Sequence, residues 1–200
     1  MSLFEIKVAT STLNLRFLLR QKNPDPESWP GILRSKSAGI CQTEGRALQL
    51  INGAEINDDE VEAVFEFFNF GQPDDLRSAR LFEQSGESIL KLNLEFLLKT
   101  LPHGWKRRLA YRLDIKQETI SRWITKGVPP EKKNIQGVIK FFGLPENTNL
   151  NEEPLFLSTS PLGVFAQKAW LQTQIERIPS SHFGRVFPAL EKIFRTDEKY

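Results

Sequence analysis

Residues 105–123 read Trp105-Lys106-Arg107-Arg108-Leu109-Ala110-Tyr111-Arg112-Leu113-Asp114-Ile115-Lys116-Gln117-Glu118-Thr119-Ile120-Ser121-Arg122-Trp123. Trp105, Leu109 and Leu113 fall on one helical face, and Ile120, Trp123 and Ile124 on another. Asp114 to Lys116 separates the two stripes as a short turn. Leu109, Leu113, Ile115 and Ile120 are placed to fill the angle between two crossing helices. A small residue on each, Ala110 and Ser121, would let the backbones approach. The second helix then presents its N-terminal side chains outward, which is the geometry of a helix-turn-helix.

The flanks continue the helical pattern. Upstream, Leu90, Leu94, Leu97, Leu98 and Leu101 form one stripe, with Ser88 as N-cap. Downstream, Ile135, Val138, Ile139 and Phe142 form another, opened by Pro129-Pro130. Farther out the chain repeats itself. Leu13-Asn14-Leu15-Arg16-Phe17-Leu18-Leu19-Arg20 matches Leu92-Asn93-Leu94-Glu95-Phe96-Leu97-Leu98-Lys99 at six of eight positions. Trp29 then matches Trp105, Leu33 matches Leu109, Gly53 matches Gly127, and Phe67-Phe68 matches Phe141-Phe142. Val61, Val64, Phe65 and Phe68 reproduce the last stripe, with Asn57 and Glu60 as an N-terminal capping signal. Four or five short helices per copy make this a tandem duplication rather than a solenoid.

Polar turn formers at 71–75 and at 145–154 read as boundaries after each copy. Beyond them, Ser160-Pro161 reads as a helix start. Val164, Leu171, Ile175 and Ile178 share a face, Ile178-Pro179-Ser180-Ser181 is a turn, and Phe183, Val186, Phe187, Leu190, Ile193 and Phe194 form a second stripe that Pro188 starts or kinks. The expected fold is therefore all-α: a first repeat at 1–75, a second at 86–145, and a C-terminal helical hairpin at 155–200. Alternation at Phe4, Ile6 and Val8 admits one short strand.

The pattern Leu109-Ala110-x-x-Leu113-x-Ile115-x-x-x-Thr119-Ile120-Ser121-Arg122-Trp123, followed by Gly127 and Pro129, resembles the Cro/repressor-type (Xre-like) helix-turn-helix family. The resemblance covers about 88–144, and the first copy shares it only through the internal repeat. It implies two tandem lambda-repressor-like helical domains and double-stranded DNA as partner. It places Gln117, Glu118 and Thr119 at the start of the recognition helix, facing base edges. Arg122 would reach a base or phosphate, Lys106 would meet the backbone, and Lys116 and Lys126 would flank the groove. The residue types suit these roles: Gln bonds adenine bidentately, Arg bonds guanine or phosphate, and Lys neutralises phosphate.

Charge separates the two copies. From Leu92 to Leu144 eleven Lys and Arg face four Asp and Glu, a net +7, whereas Leu13 to Phe70 carries six against nine, a net −3. Only the second copy is electrostatically fit for DNA. The first is also degraded in the motif: Arg34 stands for Ala110 and Ser37 for Leu113. Its recognition segment, Glu44 to Gln49, holds one cation and a helix-weakening glycine.

The rest of the composition narrows the choice. One cysteine, Cys41, excludes an internal disulfide and fits a reducing, cytoplasmic location. His103 and His182 lack metal-ligand neighbours, so no metal or other cofactor is expected. The acids Asp58, Asp59, Glu60 and Glu62 sit where a helix start favours them. No nucleophile constellation or phosphate loop occurs, so an enzyme is not expected. No apolar run reaches membrane length. The expectation is a DNA-binding regulator of repressor type. The alternatives are an adaptor subunit of a nucleoprotein or defence assembly, or an antitoxin. A homodimer or protein partner would dock through 1–75 or 160–196.

Overall fold

The computed structural model describes residues 8–99, 104–160 and 162–195. The described chain is helical, without a strand; Phe4 and Ile6 of the suggested strand lie outside the described residues, and Val8 is not in one. None of the described helices is long and apolar enough to cross a membrane.

The first repeat holds α1 (Thr10–Lys22), α2 (Trp29–Leu33), α3 (Glu44–Ile51), α4 (Asp58–Phe68) and α5 (Asp75–Ser78). The second holds α6 (Ile89–Lys99), α7 (Trp105–Arg112), α8 (Gln117–Thr125) and α9 (Lys132–Phe142). Ser88 caps α6 by accepting from the Lys91 N–H at 3.2 Å. Asn57 and Glu60 form a reciprocal capping box on α4, each side chain accepting the other's backbone N–H. Helix α9 begins at Lys132, two residues later than Pro129-Pro130 suggests, with Glu131 at its N-cap.

The chain just after 71–75, and part of 145–154, is built into the cores. Asn14 on α1 is fully buried and donates to the carbonyls of Leu76 (3.0 Å) and Ala79, while its side-chain oxygen accepts the Leu81 N–H at 3.0 Å. Asn93 on α6 does the same one repeat later. It donates to Leu150 (2.9 Å) and Glu153 (2.7 Å) and accepts from the Phe156 N–H at 3.0 Å. Each repeat's first helix therefore carries one buried amide that holds the chain returning after the repeat. Leu76, Leu81 and Phe82 are buried behind the first clamp, and Leu150, Leu155 and Phe156 behind the second.

Two cores result, and they interlock. Leu155 closes the second, but Phe156 and Leu157 belong to the first, and Phe96 packs against both. Phe82 and Phe156, at matching places in the two repeats, meet edge to face with centroids 6.1 Å apart. Arg16 and Arg20 complete the seam. Arg16 donates to the carbonyls of Ile51 (2.8 Å) and Leu157 (3.3 Å), and Arg20 donates to Phe156 (3.0 Å) while lying over the Phe96 ring. Burial lowers the pKa of both guanidinium groups.

Beyond the cores come α10 (Gly163–Arg177) and α11 (Ser180–Arg195). Leu162 is the N-cap of α10, so Ser160 is not its start, and Pro161 lies outside the described residues. Pro188 sits inside α11, which runs through it. The two helices are joined by a turn at Pro179, whose carbonyl accepts the His182 and Phe183 N–H groups at 2.8 and 3.0 Å.

Candidate nucleic-acid interface

Helices α7 and α8 are joined by residues 113–116 and pack against one another, with α6 behind α8 and α9 against α7. Leu109, Ala110, Ile120 and Trp123 are buried between them. The turn needs one left-handed residue, and Asp114 supplies it at φ 54°, a conformation that Asp tolerates better than most non-glycine residues. The Ile115 N–H then returns to the Ala110 carbonyl at 3.0 Å. Leu113 fills the space over Gly137 of α9, where a Cβ would stand 2.2 Å from the Leu113 side chain. A glycine inside a helix costs about 1 kcal/mol against alanine; here it makes room for the turn to seat.

Ala110 occupies the crossing as expected, but Ser121 does not: it is exposed, its hydroxyl turned back to the Gln117 carbonyl of its own helix. The close approach rests on Ala110 alone, because the buried face of α8 is Ile120 and Trp123. The outward face of α8 is Gln117, Glu118, Ser121, Arg122 and Thr125, all exposed. Ser121 and Thr125 thus join the surface that holds Gln117 and Arg122. The four-residue spacing from Gln117 through Ser121 to Thr125 was the signal for them. Thr119 is half-buried and stands at the edge of this face rather than on it.

The cations are free to act. Lys106, Arg107, Arg112, Lys116, Arg122 and Lys126 are exposed and make no ion pair among the described residues, whereas Lys99 and Lys133 pair with Glu95 and Glu131. Arg108 lies over the Trp105 ring at 4.6 Å, and Tyr111 beside it is 89 % exposed. Trp105 is half-buried, packed edge to face on Phe141, unlike Trp29, which is fully buried. Lys116 is the N-cap of α8 with extended backbone and no side-chain cap on the helix. The first N–H groups of α8 therefore point outward beside a lysine, a setting favourable to anions.

The first repeat is built differently at the matching helix. Its α3 starts under a Thr43 cap, the hydroxyl accepting from the Arg46 N–H at 3.2 Å. Arg46 is locked to Glu60 by two 2.7 Å bonds, and Arg34 pairs with Glu44 at 3.4 Å. The acidic group at 58–62 is likewise spoken for in part: Asp58 pairs with Arg77, and Glu60 serves the capping box. Cys41 is buried, and burial beside Glu60 raises its thiol pKa, so it stays a protonated core residue.

No family model, no curated protein and no solved structure matches the chain.

Proposed function

We propose that the chain is a sequence-specific DNA-binding regulator of repressor type, with α7, the 113–116 turn and α8 acting as a helix-turn-helix on double-stranded DNA. One observation carries this reading: a helix start without a side-chain cap, whose outward face holds Gln117, Ser121 and Arg122, ringed by exposed Lys106, Lys116 and Lys126 that make no ion pair among the described residues. In this reading α8 lies in the major groove. Gln117 and Arg122 read base edges, Glu118 excludes some of them, and Thr119 contacts the groove wall. Lys106, Lys116 and Lys126 sit on phosphates and supply affinity without sequence preference. The tandem arrangement is then one working and one retired copy of the same domain, acting in the cytoplasm.

An adaptor subunit is the second reading. What favours it is that Arg34 and Arg46 of the first repeat are engaged in ion pairs with Glu44 and Glu60, while Trp170, Leu171, Phe183 and Phe187 are partly exposed. Selection of bound duplexes from a random DNA pool separates the two. The regulator yields one enriched motif whose bases change when Gln117 is replaced. Retention without enrichment supports the adaptor, and no retention removes the DNA reading.

A further inference from the structure

The two repeats close differently at one matching place. In the first, Arg77 of α5 crosses to the start of α4 and donates to the Asp58 carboxylate and the Ile56 carbonyl, both at 2.7 Å. Helices α4 and α9 match residue for residue, Asp58–Phe68 against Lys132–Phe142, and the two clamps match Leu76 to Leu150. Arg77 therefore corresponds to Asn151, Asp58 to Lys132 and Ile56 to Pro130. Asn151 is too short to make the crossing, and Lys132 carries the wrong charge to receive a guanidinium. A cleft of about 500 Å³ stands open there, with Pro130, Lys132 and Asn151 in its lining. Small-molecule sites span about 300–1,000 Å³.

The walls of the cleft are held and its polar groups are idle. Asn93 fixes the loop 146–151 by donating to the Leu150 carbonyl at 2.9 Å, and the Glu153 carboxylate accepts the Asn149 N–H at 2.7 Å. The facing wall is α9. Lys132 on α9 and Glu146 on the loop line this one cleft, yet neither is ion-paired with the other or with any described residue. Thr148, also in the lining, is 7 % exposed, and its hydroxyl has no hydrogen-bond partner, a costly state for a buried polar group. We infer that the cleft binds a free α-amino acid with a polar side chain, its carboxylate on Lys132 and its ammonium on Glu146. Its side chain meets Thr148, Gln136 and Asn151. A sugar leaves both charges without a counterpart, and a nucleotide sets its phosphate against Glu146. Gln136 precedes Gly137, over which Leu113 of the helix-turn-helix seats. Any effect of the ligand on DNA rests on the reading above; its binding does not.

The test is calorimetric titration of the full chain, without DNA, with each of the common amino acids, with glucose and with adenosine monophosphate. The expected result is a polar amino acid bound with a Kd of about 10 μM to 1 mM. Its methyl ester and its N-acetyl derivative, each lacking one charge, bind about tenfold more weakly or worse, and Glu146→Gln has a loss of the same size. The decisive variant is Lys132→Asp with Asn151→Arg, which copies the Asp58–Arg77 crossing of the first repeat. It should abolish binding without lowering the melting temperature. Binding that survives this variant overturns the proposal. So does failure of every amino acid to bind at millimolar concentration, or binding of glucose or the nucleotide in their place. A chain that binds an amino acid but no duplex leaves the cleft standing and removes only the DNA reading.

Discussion

Helices α3 and α8 hold the same place in their repeats and bury the same positions. Ala47, Leu50 and Ile51 face inward on one, Ile120, Trp123 and Ile124 on the other. The positions they expose have nothing in common. Where α8 shows Gln117, Glu118, Ser121 and Arg122, α3 shows Glu44, Gly45, Leu48 and Gln49, with Leu48 43 % exposed. The half-buried slot beside them differs as well. Thr119 fills it on α8, and on α3 it is Arg46, tied to Glu60. Inward positions answer to packing, where a change of volume costs up to several kcal/mol. Outward ones answer only to what they touch. Two copies of one fold can therefore keep a core pattern and diverge completely in surface chemistry.

The sharpest way to break that comparison is charge reversal. Lys106→Glu with Arg122→Glu should weaken retention of duplex DNA by about 10³-fold at moderate salt, measured by filter binding. Arg34→Glu with Lys36→Glu, exposed on the first repeat, should change it less than about twofold. Arg16 and Arg20 are unsuitable as controls, since both hold the seam between repeats. Similar losses from both pairs would remove the distinction between the copies.

The clamps test what the copies share. Asn14→Ala and Asn93→Ala each strand one buried carbonyl, one part-buried carbonyl and one buried N–H. Each should cost about 2–4 kcal/mol in urea unfolding. A large cost at one and none at the other would mean that the repeats are closed by different means. Next in size, Gln117→Ala should lose about tenfold on the selected site and relax one base position, while Gln49→Ala on α3 should leave binding unchanged. Unaltered base preference would count against direct readout by Gln117.

The smallest effect concerns acid. Burial pushes the Glu60 carboxyl up, but hydrogen bonds from Arg46 and the Asn57 N–H, with the Arg46 charge, outweigh this and hold it below the usual carboxylate range. A group depressed in this way binds fewer protons folded than unfolded. Its stabilisation is full above the unfolded value of about 4.3 and fades as pH falls through the folded one. Glu60→Gln should therefore cost about 1 kcal/mol at neutral pH, and the two unfolding curves should converge on acidification. The second repeat has Asn134 at the matching place, so Asn134→Ala should show no such convergence.

Much of this was legible in the residues. The stripes, the Asn57–Glu60 box and the charge contrast each depend on neighbours within a turn or two, and the structure places them accordingly. The clamps were visible only as a polar residue repeated inside Leu13-Asn14-Leu15 and Leu92-Asn93-Leu94. Their partners lie about 60 residues on, beyond the reach of periodicity. Turn formers at 71–75 and 145–154 did mark turns, but a turn can be wrapped by a core as easily as it can link two. Ser121 was misplaced because small size suits a crossing, whereas position on the helix decides which face it shares.

Phe156 and Leu157 belong to the first core although they follow the whole second repeat. A ribosome releases the first repeat through Phe82 well before them. At about 5–20 residues per second, the remaining 75 residues up to Leu157 take about 4–15 s. Throughout that interval Phe82 has no Phe156 to meet, and Arg16 lacks the Leu157 carbonyl that it bonds in the finished molecule. The nascent N-terminal repeat thus waits as a half-closed surface, open to chaperones and to other nascent chains, until the end of the second repeat arrives to seal it.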